Sequence, residues 1–244
     1  MAGLLELFHR KKALEICSAI VVAAGKAQRM EGIDKILAPL GELPVIVHTL
    51  YAFQDCQAIQ EIIVVTRPDM MVEISRLCKE YGLDKVTKVV AGGAERTLSV
   101  QAGLKEVRPD ADLIAIHDGA RPLLTQDILN STVAAAAKSG AAAPAISIID
   151  TIKRVENGQT AETVDRSVLC AIQTPQVFES GLIRAALAKA VDDGEVLTDD
   201  CAAVEHLGMK VTLTNGSREN IKITTPFDLL LGTAILEARV KGGL

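Results

Sequence analysis

Four short apolar runs, each followed by a stretch long enough for a helix, set the tightest limit on how this chain can fold. Cys17 to Ala23 (CSAIVVA), Glu61 to Thr66 (EIIVVT), Lys88 to Ala91 (KVVA) and Leu113 to His117 (LIAIH) read as buried strands. Helix-length stretches lie near Val45 to Phe53, Met70 to Tyr81, Leu98 to Val107 and Asp127 to Lys138. Strands that alternate with helices predict right-handed βαβ crossovers. The expected fold is therefore α/β, a single open, mostly parallel twisted sheet flanked by helices. At 244 residues the chain is long enough to bury a sizeable core in one such domain. Aromatic residues make up only 2 %, so Ala, Val, Ile and Leu must build that core, as in parallel strands covered on both faces. The same scarcity argues against a protein that stacks nucleic-acid bases.

One segment breaks the rhythm. From Ser147 to Arg166, SIIDTIKRV and TAETVDR flank Glu156-Asn-Gly-Gln159. Two β-prone segments around Asn-Gly predict a hairpin, and a hairpin inserted late in a parallel sheet is either surface decoration or an arm that reaches another subunit. Near the end, Thr225-Pro-Phe-Asp228 combines an N-cap threonine, a first-turn proline and an acidic residue in the capping-box position. A final helix over Thr225 to Val240 is expected.

The formal net charge of −5 disfavours broad polyanion binding while leaving room for a local basic pocket. Cys17, Cys56, Cys78, Cys170 and Cys201 are scattered and include no CxxC, so they read as buried thiols in a reducing compartment rather than a disulfide frame or zinc site. No apolar run approaches the ~18 residues of a membrane span. Residues 1–15 carry a short apolar stretch whose basic residues follow it, the reverse of a signal peptide, and read as an N-terminal extension. A cytoplasmic protein is expected. His48 and His206 fall in helical stretches and read as structural, and His117 as a loop hydrogen-bonder; neither a Ser–His–Asp arrangement nor a metal-ligand spacing is evident.

The chemistry-bearing residues follow the strands. In an open α/β sheet the ligand crevice lies beyond the carboxyl ends of the strands. The first strand runs into Ala23-Ala-Gly-Lys-Ala-Gln-Arg-Met30, where small residues let backbone N–H groups approach a phosphate or base, and Arg29 and Lys35 add two cations. This loop is neither a P-loop nor a GxGxxG fingerprint. The third strand ends in Gly92-Gly-Ala-Glu-Arg-Thr-Leu-Ser-Val100, which suits a tight turn and a ligand loop equally well. The fourth releases His117-Asp-Gly-Ala-Arg-Pro122, placing Asp118 and Arg121 at a strand end, where they can serve a site, pair with each other, or both.

AAGKAQRM, DK at 34–35, GGAERTLSV, HDGARP, DTIKR, TVDRS, QTPQ, TDD at 198–200 and NIKITTP, in that order, resemble the 2-C-methyl-D-erythritol 4-phosphate cytidylyltransferases of the non-mevalonate isoprenoid pathway. The resemblance runs from about Cys17 to Leu236. It implies a nucleotidyltransferase domain over residues 16–244 with a nucleotide-diphospho-sugar transferase-like sheet, and a dimerisation arm at about 147–168. It also implies a homodimer in which each arm crosses to the partner's active site, and substrates CTP, with Mg²⁺ or another divalent cation, and a small polyol phosphate. The acceptor phosphate then attacks the α-phosphorus of CTP and pyrophosphate leaves. Such a transfer needs positioning and positive charge more than covalent help from the protein.

Residue by residue, the resemblance makes Arg29 and Lys35 the cations on the triphosphate, and Arg166 and Lys222 the pair that positions the acceptor phosphate. Asp118, Arg121, Thr151 and Thr174 match acceptor or phosphate contacts, with Asp118 also a candidate for lying near the metal. Ala23, Ala24, Gly25, Gly92, Gly93, Arg96 and Ser99 match the nucleotide loops and the cytosine pocket, where backbone groups and a hydroxyl can tell an amino group from a carbonyl. The chain departs from the pattern at Ala27, where glycine is common, in a loop one residue shorter before Lys35, at Ile36 and at Cys170. A ribitol 5-phosphate cytidylyltransferase would more often read LAGG and PVRN where this chain has Ala23-Ala24-Gly25 and Thr163-Val-Asp-Arg166. A non-catalytic nucleotide-binding paralogue is the reading that Ala27 and the short loop would favour. A nicotinamide-dependent oxidoreductase lacks its glycine fingerprint here.

Overall fold

A computed structural model describes residues 15–25 and 34–242. Its core is one sheet, built from β1 (Cys17–Ala23), β4 (Ile59–Thr66), β5 (Val86–Ala91), β6 (Leu113–Asp118), β7 (Ala141–Ser147), β10 (Cys170–Ile172), β11 (Gln176–Glu179) and β12 (Thr212–Asn215). The order across the sheet is β10-β7-β11-β6-β1-β4-β5, with β12 pairing β7 off that path. The four strands expected from the apolar runs form its parallel half: β1 pairs β4 and β6, and β4 pairs β5, all parallel. The other half is mixed, because β11 runs antiparallel to β6 and β7, and β10 antiparallel to β7.

Alternation along the strands decides which side chains meet which helices. On one face Ala19 and Val21 of β1 and Ile62 and Val64 of β4 pack with α1 (Val45–Gln54), α2 (Met71–Glu80) and α4 (Gln126–Ser139). On the other, Ile20, Ile63, Val65, Ile114 and Ile116 pack with α3 (Arg96–Glu106), α5 (Ser180–Asp192) and α6 (Asp200–His206). Helix α3 meets the sheet at Gly103, where a Cβ would stand 2.6 Å from Ile20 Cγ2 and 2.9 Å from Val65 Cγ2, so the helix lies directly on the strands. A smaller core forms where α7 (Pro226–Val240) brings Ile235 against Leu40, Val45, Leu123 and Ile223. Leu40 comes from a two-stranded ribbon, β2 (Pro39–Leu40) with β3 (Leu43–Pro44).

Helix α7 begins with the capping box read from the sequence. Asp228 Oδ2 accepts from the N–H groups of Thr224 and Thr225, each at 2.8 Å, while the Thr225 hydroxyl accepts from Asp228 N–H at 3.4 Å. The expected hairpin is β8 (Ile152–Glu156) with β9 (Gln159–Val164). Its loop is Asn157 at φ 52° and Gly158 at φ 78°, the two positive-φ residues that a type I′ turn requires. The hairpin forms its own sheet and stands away from the main one. The hairpin and its flanks expose Ile149, Val155 and Val168, each more than half accessible.

The five cysteines are free, and four of them are buried, but Cys170 is exposed at the edge strand β10. The expectation of five buried thiols fails there because β10 has a neighbour on one side only. Among the described residues no helix is long and apolar enough to cross a membrane.

Candidate active site

The parallel register brings four strand ends to one edge of the sheet. Ala23 of β1 lies beside Thr66 of β4, Thr66 beside Ala91 of β5, and Val22 of β1 beside Asp118 of β6. Strand order also reverses here: from β1 the chain moves to β4 and β5 on one side, then returns to β6 on the other. Such a switch point is where open α/β sheets leave a crevice. A cleft of about 150 Å³ occupies it, lined by Val22 to Gly25 at the end of β1, Lys35 and Ile36, Ala94 to Arg96 and Ser99 around the start of α3, Asp118 and Ala120 at the end of β6, and Lys222.

Asp118 is the charge at the centre. Its Oδ2 lies 2.8 Å from Lys222 Nζ and 3.7 Å from Arg121 Nε, and its Oδ1 lies 3.6 Å from Arg96 Nε. Burial works against its ionisation, yet the three cations outweigh burial and hold the carboxyl well below the usual range. Arg96 reaches further, to Asp200 Oδ2 at 2.7 Å. Burial pushes the Asp200 carboxyl up, against the pull of Arg96. Lys35 also lines the cleft, and a Cβ on Gly25 would sit 3.9 Å from its Nζ, so the ammonium lies beside the backbone that leaves β1.

The glycines after β5 are fixed by packing. A Cβ on Gly92 would meet Ala24 Cβ at 2.6 Å and Ser99 Oγ at 2.8 Å, and one on Gly93 would meet Leu98 Cβ at 2.4 Å. Ser99 is buried, accepts from Gly93 N–H at 3.1 Å and donates to the Glu95 carbonyl at 3.0 Å. The glycine pair is thus the means by which two loops of the cleft touch. At α3, Glu95 occupies the N-cap without a side-chain cap, and the first-turn N–H groups open beside the cleft.

Behind the carboxylate a buried hydrogen-bond chain fixes the loop. His117 is fully buried, with Nε2 3.2 Å from the Arg121 carbonyl and Nδ1 2.9 Å from Thr174 Oγ1. A carbonyl can only accept, so Nε2 carries the proton and Nδ1 accepts from the Thr174 hydroxyl. Thr174 Oγ1 in turn accepts from the Asp118 N–H at 3.1 Å. Burial pushes the imidazole down to about 4, so the ring is neutral at physiological pH, as a loop hydrogen-bonder should be. Arg121 donates to the Asn220 carbonyl at 2.6 Å, and Asn220 Nδ2 donates to the Thr174 carbonyl at 3.0 Å, tying the segment that carries Lys222 to the same loop.

The residues expected at a site therefore separate into groups. Ala23, Ala24, Gly25, Lys35, Arg96, Ser99, Asp118 and Lys222 line one cleft. Gly92, Gly93, Arg121 and Thr174 stand behind it and shape it. Thr151 is exposed at the base of the hairpin. Arg166 is exposed on the arm, where its guanidinium donates to the Ile149 carbonyl, and does not line the cleft of its own chain. Arg29 and Ala27 lie outside the described residues. Asp200, Gln176 and Asn220 were not singled out from the sequence, although the TDD, QTPQ and NIKITTP motifs contained them. Among the described residues no group of three or more His, Cys, Asp or Glu side chains is placed to hold a metal ion.

Comparison with known proteins points the same way. The family model described as IspD, 2-C-methyl-D-erythritol 4-phosphate cytidylyltransferase, matches residues 17–238. A 2-C-methyl-D-erythritol 4-phosphate cytidylyltransferase from Alkaliphilus metalliredigens is 43 % identical over 92 % of this chain and 95 % of its own length. One from Halalkalibacterium halodurans is 42 % identical over 90 % and 96 %. Among solved structures, 4-diphosphocytidyl-2C-methyl-D-erythritol synthase from Anaerococcus prevotii superposes with a TM-score of 0.82 at 31 % identity, covering 92 % of this chain and 99 % of that one. The cytidylyltransferase from Thermus thermophilus gives a TM-score of 0.76 at 30 % identity, covering 91 % and 99 %.

The neutral His117 has a pH signature. Its folded value of about 4 lies below the ordinary 6.5, so between those values the unfolded chain binds a proton that the folded chain does not. Its contribution is present above pH 6.5 and is lost as pH falls towards 4, by about 3 kcal/mol in all. Denaturant unfolding of wild type and His117→Gln at pH 7 and pH 4 should show the variant losing less stability by roughly that amount. Equal losses in the two proteins would contradict the assignment.

Proposed function

The chain belongs to the 2-C-methyl-D-erythritol 4-phosphate cytidylyltransferase family, and on that premise we infer how its cleft receives CTP and then the acceptor phosphate. The protein is a nucleotidyltransferase that moves CMP from CTP to 2-C-methyl-D-erythritol 4-phosphate and releases pyrophosphate. The observation that carries the residue assignment is one cleft, at the switch point of the sheet, lined by both Lys35 and Lys222.

In this reading the cytosine rests against Ala23, Ala24 and the Gly92–Ser99 loop. The triphosphate extends along Gly25 towards Lys35, and the family motif assigns Arg29 to it as well. An oxygen of the acceptor phosphate, held by Lys222, attacks the α-phosphorus, the bond from that phosphorus to the β-phosphate's bridging oxygen breaks, and pyrophosphate carries the electron pair away. The protein supplies fixed positive charge where negative charge accumulates, and needs no covalent intermediate. A divalent ion bound to the nucleotide would be held mainly by phosphate oxygens and water and would supply further positive charge to the triphosphate. Asp118, the carboxylate lining the cleft beside Lys222, is already shared among three cations and is a poor metal ligand as it stands.

Arg166 acts on the cleft of a second copy in this reading. It is exposed and is not among the residues that line its own cleft, and the arm exposes Ile149, Val155 and Val168, apolar side chains that a partner would cover. A homodimer follows. The five free thiols suit a reducing cytoplasm.

Pyrophosphate release with CTP and either 2-C-methyl-D-erythritol 4-phosphate or ribitol 5-phosphate tests the acceptor. Faster turnover with the methylerythritol phosphate is expected, while faster turnover with ribitol phosphate would reassign it. The crossing arm predicts complementation. Lys35→Ala and Arg166→Ala homodimers are each weakly active, but after subunit exchange about a quarter of the sites are intact, since half of the dimers are mixed and each has one unmutated site. Recovery to about that level supports the crossing arm; no recovery in mixed dimers contradicts it.

A further inference from the structure

Arg96 stands between two carboxylates and is bound more closely by the one that does not line the cleft. Its Nη2 lies 2.7 Å from Asp200 Oδ2, whereas its Nε is 3.6 Å from Asp118 Oδ1. Asp200 is 1 % exposed, so it has no contact with solvent or with a substrate in the cleft. Its position is rigid, because Gln176 of β11 accepts from the N–H groups of Asp200 and Cys201 at 2.9 and 3.1 Å and donates to Asp199 at 2.8 Å. The first turn of α6 is thereby pinned to the central sheet.

Asp118 divides its own oxygens in a matching way, with Arg96 opposite Oδ1 and Lys222 on Oδ2 at 2.8 Å. A guanidinium has five donors in a planar fork and prefers to grip a carboxylate with two of them. An Arg96 with Asp118 as its only anion would close on it in that way and compete with the single ammonium of Lys222. We propose that Asp200 is a positioning residue that draws Arg96 partly off Asp118, leaving Asp118 free to fix Lys222 for the acceptor phosphate. This deepens the proposed reaction and rests on it for the role of Lys222.

The test is steady-state kinetics with CTP and 2-C-methyl-D-erythritol 4-phosphate for wild type, Asp200→Asn, Arg96→Lys and the double variant. Asp200→Asn keeps the shape and removes the charge. Arg96→Lys keeps the charge but cannot span both carboxylates, and it decides the matter alone should Asp200→Asn fold poorly. Each single variant should raise KM for the acceptor about tenfold with a smaller change in kcat, and the double variant should be little worse than either single one. A uniform loss of kcat, additive effects in the double variant, or an unchanged acceptor KM would overturn the proposal. Wild-type protein that makes no product would instead overturn the reaction itself. The positioning role is then read from calorimetric affinity for the polyol phosphate, with a loss of about tenfold in the variants expected and no loss contradicting it.

Discussion

The carboxylate of Asp118 is the interaction on which the site depends. One buried negative charge holds Lys222, Arg96 and Arg121 around it, and those three cations come from three separate parts of the chain. Without that charge, the same basic side chains would repel one another in a confined space. With it they form an ordered array, of which Lys222 and Arg96 line the cleft while Arg121 stands behind it. A site of this kind suits phosphoryl and nucleotidyl transfer, in which the work is to meet growing negative charge with groups that do not have to move.

The sheet makes the array possible. The parallel register carries β1, β4, β5 and β6 to a common edge, and the reversal of strand order opens space between β1 and β6 at that edge. The neutral imidazole of His117 then links the end of β6 to Thr174 and Arg121, so the loop that bears Asp118 is braced from behind by groups that never meet substrate. Chemistry at the rim is supported by buried polar contacts one layer deeper, and those contacts join segments far apart in sequence.

Much of this was legible before the structure. The four apolar strands, the helices between them, the Asn157-Gly158 hairpin and the Thr225 capping box depend on local pattern, which sequence carries directly. The family motifs also located most of the cleft lining. What was not legible depends on pairing. β7 reads AAAPAIS, which has neither strand-like branching nor helical period, and Pro144 falls where its partner changes from β11 to β10. Those two partners are three and four residues long, too short for any periodicity to register. Asp200 gave the same difficulty at the site: its sequence context is a helix start, and its importance comes from Arg96, 104 residues away in the chain.

The central claim is that Asp118 orders the cations for the acceptor phosphate rather than merely neutralising them. Calorimetric titration of wild type and Asp118→Asn with 2-C-methyl-D-erythritol 4-phosphate, each saturated with CTP, measures this directly. The account predicts that affinity for the acceptor falls about tenfold or more in the variant, although its cleft has gained net positive charge. Equal or tighter binding would mean that charge alone holds the phosphate, and would contradict it.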